Sequence, residues 1–248
     1  MKVHVYANAW NEIALMPYFL RHYETFCDKI IVFDDGSTDG TREAVTSCPI
    51  AELRDLGCGG VDDAFFQDHW NAVYREARGL ADWVILVDAD EFVYHPNIRE
   101  RLAYYRCRGI GLPFVKGYNM VSGGPPTANG QIYDEITTGY AYEYENKRVV
   151  VNPMIDLRYE VGRHTVHVES PAHIADLPEL ALLHYNQLGL DYICARRAGY
   201  RPRMSQRNVA AGWGSFVFTS RESIQGEYQL AQSLARPIEA ILPNAERL

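Results

Sequence analysis

The chain has 248 residues, enough for one large α/β domain or for a domain of about 200 residues with a small appendage. Hydrophobic residues make up 47% and charged residues 23%, which excludes a disordered or low-complexity chain. A net charge of −8 argues against a nucleic-acid partner, because backbone affinity comes from Lys and Arg neutralising phosphates. No apolar stretch approaches the ~18 residues of a spanning helix, and Met1 to Tyr6 opens into strand-like alternation rather than a signal peptide. A cytoplasmic protein with no integral membrane segment is therefore expected. The cysteines Cys27, Cys48, Cys58, Cys107 and Cys194 are scattered, odd in number and form no C-x-x-C pair, so neither a disulfide framework nor a zinc site is suggested and most read as buried thiols.

The first half alternates strand and helix signals at short spacing. Residues 2–9 read as a strand, Pro17 suits the first turn of a helix ending near Phe26, and Lys29 to Phe33 is a second strand. The turn-rich segment Asp34-Asp35-Gly36-Ser37-Thr38-Asp39-Gly40 leads into a short helix near Thr41 to Val45, then a weaker strand at Ile50 to Leu53. After a link at Gly57 to Gly60, Phe66, Trp70, Val73, Tyr74 and Ala77 share one stripe of a helix from Asp63 to about Arg78. That helix feeds Trp83-Val84-Ile85-Leu86-Val87, whose lack of alternation marks a strand covered on both faces. The order is βαβαβ, which predicts a doubly wound, mostly parallel α/β sheet of Rossmann-like type.

The second half is less regular. Gly109 to Val115 reads as a strand, and Ser122-Gly123-Gly124-Pro125-Pro126 as a loop able to act as a lid. Residues 132–168, with Tyr133, Tyr140, Tyr142 and Tyr144, suit an antiparallel portion. Leu180 to Tyr185 is a further strand, Asp191 to Ala198 a helix, and Glu222 to Leu234 a last helix stopped by Pro237. The expected division is a domain over 1–220, with halves 1–106 and 107–220, and a helical C-terminal tail over 221–248.

Two strands end in acidic pairs, Asp34-Asp35 and Asp88-Ala89-Asp90, and a parallel sheet places such ends on one edge, where ligand crevices lie. Asp88, Asp90 and Glu91 would repel one another there, and a hard divalent cation is the usual relief. A solvated acidic turn is the alternative.

At this point the residues resemble a known family, the inverting glycosyltransferases of family 2 with the GT-A fold, in the branch with an Asp-x-Asp-Glu-Phe motif. The matching pieces are Asn11-Glu12, the string Asp34 to Thr41, Asn71, Asp88-Ala89-Asp90-Glu91-Phe92, and His184-Tyr185, over roughly residues 3–200. The resemblance implies a metal-dependent enzyme moving a sugar from a nucleoside diphosphate, with UDP favoured, to a hydroxyl-bearing acceptor with inversion. Mn²⁺ or Mg²⁺ would bridge the diphosphate as a Lewis acid. By analogy Asp90 is the direct metal ligand, Asp88 faces the ribose or the metal's water shell, and His184 is the C-terminal ligand. The half 1–106 would bind the nucleotide sugar and 107–220 would face the acceptor.

Asp34 and Asp35 are the expected nucleoside readers, since a carboxylate accepts from uracil N3–H or ribose hydroxyls; capping of the next helix is the alternative for Asp34, and is preferred for Ser37, Thr38 and Asp39. Asn11 and Glu12 are expected in the same pocket, and Asn71 on the donor. Arg75, one helical turn from Asn71, reads as a surface residue. The general base is not fixed by any motif: Asp134, Glu135, Glu143, His164 and His167 qualify by chemistry, and His164 and Asp134 are the two carried forward. His164 and His167, placed in one strand, would face opposite sides. Arg196, Arg197, Arg201, Arg203 and Arg207 read as a solvated helix face or as a segment ordering over a diphosphate. Trp213 between Gly212 and Gly214 is either a stacking platform or core. The competing classes are a nucleotidyltransferase, a haloacid-dehalogenase-type phosphatase and a non-catalytic nucleotide-sugar-binding or scaffold protein. The first lacks its Gly-rich basic loop here, and the second its N-terminal placement of the Asp-x-Asp.

Overall fold

The computed structural model describes residues 1–169 and 173–242. Its first sheet has the strand order β3-β2-β1-β4-β8. Strands β1 (Val3–Ala9), β2 (Lys29–Asp34), β3 (Ala51–Asp55) and β4 (Trp83–Asp88) are mutually parallel, and the two-residue β8 (Val150–Val151) runs antiparallel to β4. This is the α/β arrangement the sequence predicts. Alternate residues feed two cores: Val3, Val5, Ile30, Val32, Ile85 and Val87 pack with α1 (Met16–Glu24) and α2 (Thr41–Thr46), whereas Tyr6, Ile31, Phe33, Val84 and Leu86 pack with α3 (Asp63–Val73). Burial on both faces explains why β4 shows no polar alternation. The helix expected to reach Arg78 ends at Val73 and continues as a 3₁₀ turn, Tyr74–Ala77.

The second sheet, of order β12-β7-β6-β11-β5, comprises β5 (Glu91–Tyr94), β6 (Ile110–Ser122), β7 (Thr138–Ala141), β11 (His173–Leu188) and β12 (Arg236–Pro237). Strands β6 and β11 are far longer than expected and run parallel, while β5 and β7 pair antiparallel with them. A small ribbon of β9 (Leu157–Tyr159) and β10 (Val166–Val168) lies apart, and α4 (Ile98–Cys107) and the single turn α5 (Ile132–Glu135) complete this half.

Helix α6 (Leu190–Tyr200) leads through α7 (Gln206–Ala211) to α8 (Arg221–Leu234). Rather than hanging free, α8 packs Ile224, Tyr228 and Ala231 on Ile193 and Val121, and the Tyr228 hydroxyl donates to the Ser122 carbonyl at 2.7 Å. The last residues of the expected tail, 243–248, lie outside the described residues. No described helix is long and apolar enough to cross a membrane. All five cysteines are free, but only Cys27 is buried, and Cys107 is exposed, contrary to the reading of buried thiols.

Candidate active site

The carboxyl ends of β1, β2 and β4 open into a cavity of about 970 Å³, closed on its far side by the second sheet and by α6 and α8. Its wall includes Glu12, Asp35, Asp88, Asp90, His164 and His184, which bring together six of the ten residues singled out from the sequence.

The Asp-x-Asp-Glu turn does not keep three bare charges. Each carboxylate has its own cation: Asp88 meets Arg163 at 2.6 Å, Asp90 meets Arg196 at 2.8 Å, and Glu91 is held by Lys147 and, at 3.3 Å, by Arg163. Mutual repulsion, the first argument for a metal here, is thus relieved within the protein. Glu91 is a structural pin: fully inside, it also accepts the Asp88 backbone N–H at 3.0 Å, fixing the turn. Burial raises the Asp88 carboxyl to about 6 against the pull of Arg163. Burial would do the same to Asp90, but His184 and Arg196 outweigh it and hold that group well below the ordinary carboxylate range.

His184 lies in β11, opposite Glu91 in the register. Its Nε2 stands 3.3 Å from Asp90 Oδ2, and its Nδ1 stands 3.1 Å from Glu145. Burial opposes charging the imidazole, yet Glu145 and Asp90 together hold it well above its usual value. Glu145 reaches this place because Gly117 of β6 carries no Cβ: one there would collide with the Glu145 backbone. Asn146 then fastens the crossing by accepting the Gly117 N–H at 2.9 Å.

Among the described residues no group of three or more His, Cys, Asp or Glu is disposed to hold a metal ion. Asp90 and His184 nevertheless fit half of such a site, provided that an arriving cation displaces the proton that their pairing holds on the imidazole. Two donors on adjacent corners of a small octahedral cation stand about 3 Å apart, and Mg²⁺-type ions commonly take one or two protein ligands plus substrate phosphates and water. A ligating histidine is ordinarily oriented by a carboxylate on its other nitrogen, the place Glu145 occupies. Asp88, paired with Arg163, stands beside this half-site rather than in it.

Arg196 of α6 bridges the two sides, pairing with both Asp90 and Glu12, while Tyr200 donates to Glu12 at 3.0 Å. Burial lifts Glu12 to about 7 against the pull of Arg196, with Asp90 adding to the rise. Asp35 accepts from the Gly59 N–H at 2.8 Å and pairs with Arg203 at 2.5 Å, and the Arg203 guanidinium lies 3.9 Å from the centre of the Trp10 ring. The arginine run is divided: Arg196, Arg197 and Arg203 line the cavity, whereas Arg201 and Arg207 are exposed outside its wall.

Four expected residues are placed elsewhere. Asp34 does not line the cavity; one carboxylate oxygen accepts from Gly36 N, Ser37 N and Arg42, so it closes its own turn and does not cap the next helix, whose N-cap is Gly40. Asn11 adopts φ 52° and accepts from Thr38 N at 2.8 Å, bracing one loop against another. Asn71 spends its amide on Tyr159, donating at 3.0 Å and accepting at 2.7 Å, so it pins β9 rather than facing a donor. Asp134 is exposed and accepts from the Gln131 N–H in a capping box, which removes it as a base candidate. Arg75, read as a surface residue, instead reaches the Asn71 and Leu157 carbonyls.

The two histidines do not share a strand. Gly162 and Arg163 take positive φ, which turns the chain before β10, so His164 reaches the cavity while His167 pairs with Glu160 at 2.7 Å on the outside. Burial and then Lys147 lower the pKa of the His164 imidazole below its usual value. Glu135 ties down the Thr127–Ala128 loop, and Trp213 lies outside the cavity wall.

The side chains that pair with the candidate site's acidic and imidazole groups and that the sequence does not reveal are Arg163, Lys147, Glu145 and Tyr200. Their partners are distant in the chain, and no local spacing marks them.

The sequence matches no described protein family and no curated protein. Among solved structures it is similar to S. aureus TarS residues 1–349, with 13% identity and TM-score 0.44, over 80% of this chain and 66% of that one. It is also similar to glucosyl-3-phosphoglycerate synthase from Mycobacterium tuberculosis in complex with Mn²⁺, UDP and glucosyl-3-phosphoglycerate, with 20% identity and TM-score 0.34, over 48% of this chain and 44% of that one. The chain therefore spans less than two thirds of the length of either protein, and both likenesses are too loose to carry function across.

Proposed function

We propose that the protein is a metal-dependent glycosyltransferase that moves a sugar from a nucleoside diphosphate, with UDP favoured, to an acceptor hydroxyl with inversion. The observation that carries this reading is the pairing of Asp90 with His184 beside Arg196, in one cavity with Asp35 at the carboxyl edge of the parallel strands. Asp90 and His184 would hold Mn²⁺ or Mg²⁺, which when bound offsets the negative charge growing on the departing diphosphate. Arg196 stands next to that position and adds a fixed guanidinium for the same oxygens. Asp35, just past the end of β2 and one strand beyond β1, supplies the carboxylate that accepts from a uracil N3–H or ribose hydroxyls, while Trp10 and Arg203 form a flat wall beside it. His164, in the cavity wall, is the base that takes the acceptor proton on an imidazole nitrogen.

The test is a donor screen with Mn²⁺, scored by release of nucleoside diphosphate with and without candidate acceptors. Turnover of a UDP-sugar supports the reading. Tight UDP-sugar binding with neither transfer nor hydrolysis would favour the non-catalytic binding protein, and release of pyrophosphate from a nucleoside triphosphate the nucleotidyltransferase.

A further inference from the structure

We infer that the acceptor carries a hydrocarbon body beside its reacting hydroxyl, held by the apolar wall that α6 and α8 contribute to the cavity. This rests on the glycosyltransferase reading, since it concerns the other half of the same cavity.

The two ends of the cavity differ in chemistry. Around Asp35, Asp90 and His184 the wall is charged. Across from them it is built by Ile193, Phe216, Val217, Leu230, Leu234 and Tyr142. Several of these face solvent although they belong to the wall: Phe216 is 54% exposed, Leu230 60% and Leu234 46%. Apolar side chains that line a cavity and remain wet have a surface to bury, and a ligand's hydrocarbon can bury it.

The aromatic side continues the same strip. Tyr140, Tyr142 and Tyr144 follow one another with ring centroids 6.0 Å and 5.5 Å apart, leading from the wall to the exposed Tyr144. Arg197 beside this strip is engaged, pairing with Glu227 at 2.6 Å and donating to Thr219. The unpartnered amide oxygens of Asn119 and Asn186 lie in the same cavity and could serve the acceptor's polar end, while an alkyl chain on the strip needs no hydrogen-bond partner. The strip is continuous with the charged end, so an amphipathic alcohol lying along it presents its hydroxyl toward His164 and the donor.

The probes are octyl β-D-glucoside, kept below its critical micelle concentration, and methyl β-D-glucoside. Each is titrated calorimetrically into the full chain with UDP and Mn²⁺ present. Seven additional methylenes, even partly buried, should make the octyl compound at least about tenfold tighter. Leu230→Asp and Leu234→Asp should each remove most of that preference, while UDP still raises the melting temperature as in the parent protein, which shows that the variants are folded. Equal binding of the two glucosides, or a preference that survives both substitutions, overturns the inference. So does a change of oligomeric state in Leu230→Asp, which would make the strip an interface between copies. If UDP fails to bind the parent protein but the octyl preference is present and lost in the variants, the glycosyltransferase reading fails and the apolar subsite stands.

Discussion

The guanidinium of Arg163 lies 2.6 Å from the Asp88 carboxylate, on a backbone held at φ 61°. The same side chain reaches Glu91, donates to the Leu86 carbonyl and lies 4.6 Å from the centre of the Trp70 ring. It therefore ties the Asp-x-Asp-Glu turn to α3 from a segment more than seventy residues downstream. Asp88 keeps 45% of its side chain exposed and Glu91 keeps Lys147, so removing Arg163 leaves no carboxylate both buried and unpaired, and the loss falls short of a fully buried broken pair. Arg163→Ala should lose about 1–3 kcal/mol in urea unfolding. Arg163→Lys should recover only part of it, because an ammonium cannot span the same acceptors.

Glu145 touches the candidate metal site through His184 and also pairs with Lys147 at 3.2 Å. Glu145→Ala should leave UDP binding without metal nearly unchanged and weaken Mn²⁺-dependent binding about 10–100-fold, the range seen when a carboxylate behind a ligating histidine is removed. Equal loss with and without metal would mean that Glu145 contacts the nucleotide itself.

The neighbouring aspartates separate fold from recognition. Asp34→Ala should cost about 1–3 kcal/mol of stability by freeing the turn at Gly36 and Ser37. It should leave the preference for UDP over ADP intact. Asp35→Ala should erase most of that preference, read as the difference in melting temperature shift with Mn²⁺ present. The opposite pattern would return the nucleoside role to Asp34.

How much of this was legible in the sequence depended on whether the physics was local. The unbroken apolar run of β4 announced a strand buried on both sides, and its position before Asp88 located the cavity. Asp34 and Asp35 looked equivalent as residues, but only a structure shows that the first folds back on its own turn while the second faces the cavity. His164 lies outside the strand expected for it because positive φ at Gly162 and Arg163, just before it, turns the chain ahead of β10. Asn71 sat on the expected helix, but β9, too short to predict, claimed its amide. The cations that neutralise the acidic turn came from three separate later segments, which no spacing rule links to it.

His22 makes stability depend on acid. Burial lowers its pKa from 6.5 to about 4, with its Nε2 held 3.0 Å from the Val93 carbonyl. Because the folded form resists protonation, the unfolded chain binds more protons between those values. The contribution is complete above pH 6.5 and lost as pH falls toward 4, on the order of 3 kcal/mol in all. Urea unfolding from pH 7 to 4 should show that decline. In His22→Phe the slope over this window should fall by about one proton. An unchanged slope would assign the acid sensitivity to other groups.

The most direct test of the central claim is calorimetric titration of UDP, with and without Mn²⁺, into the parent protein, Asp90→Asn and His184→Ala. If Asp90 and His184 hold the cation that binds the diphosphate, Mn²⁺ should tighten UDP binding to the parent at least about tenfold and do little for either variant. Binding without metal should stay similar in all three. A Mn²⁺ enhancement that persists undiminished in both variants, or that is absent from the parent, would contradict the account.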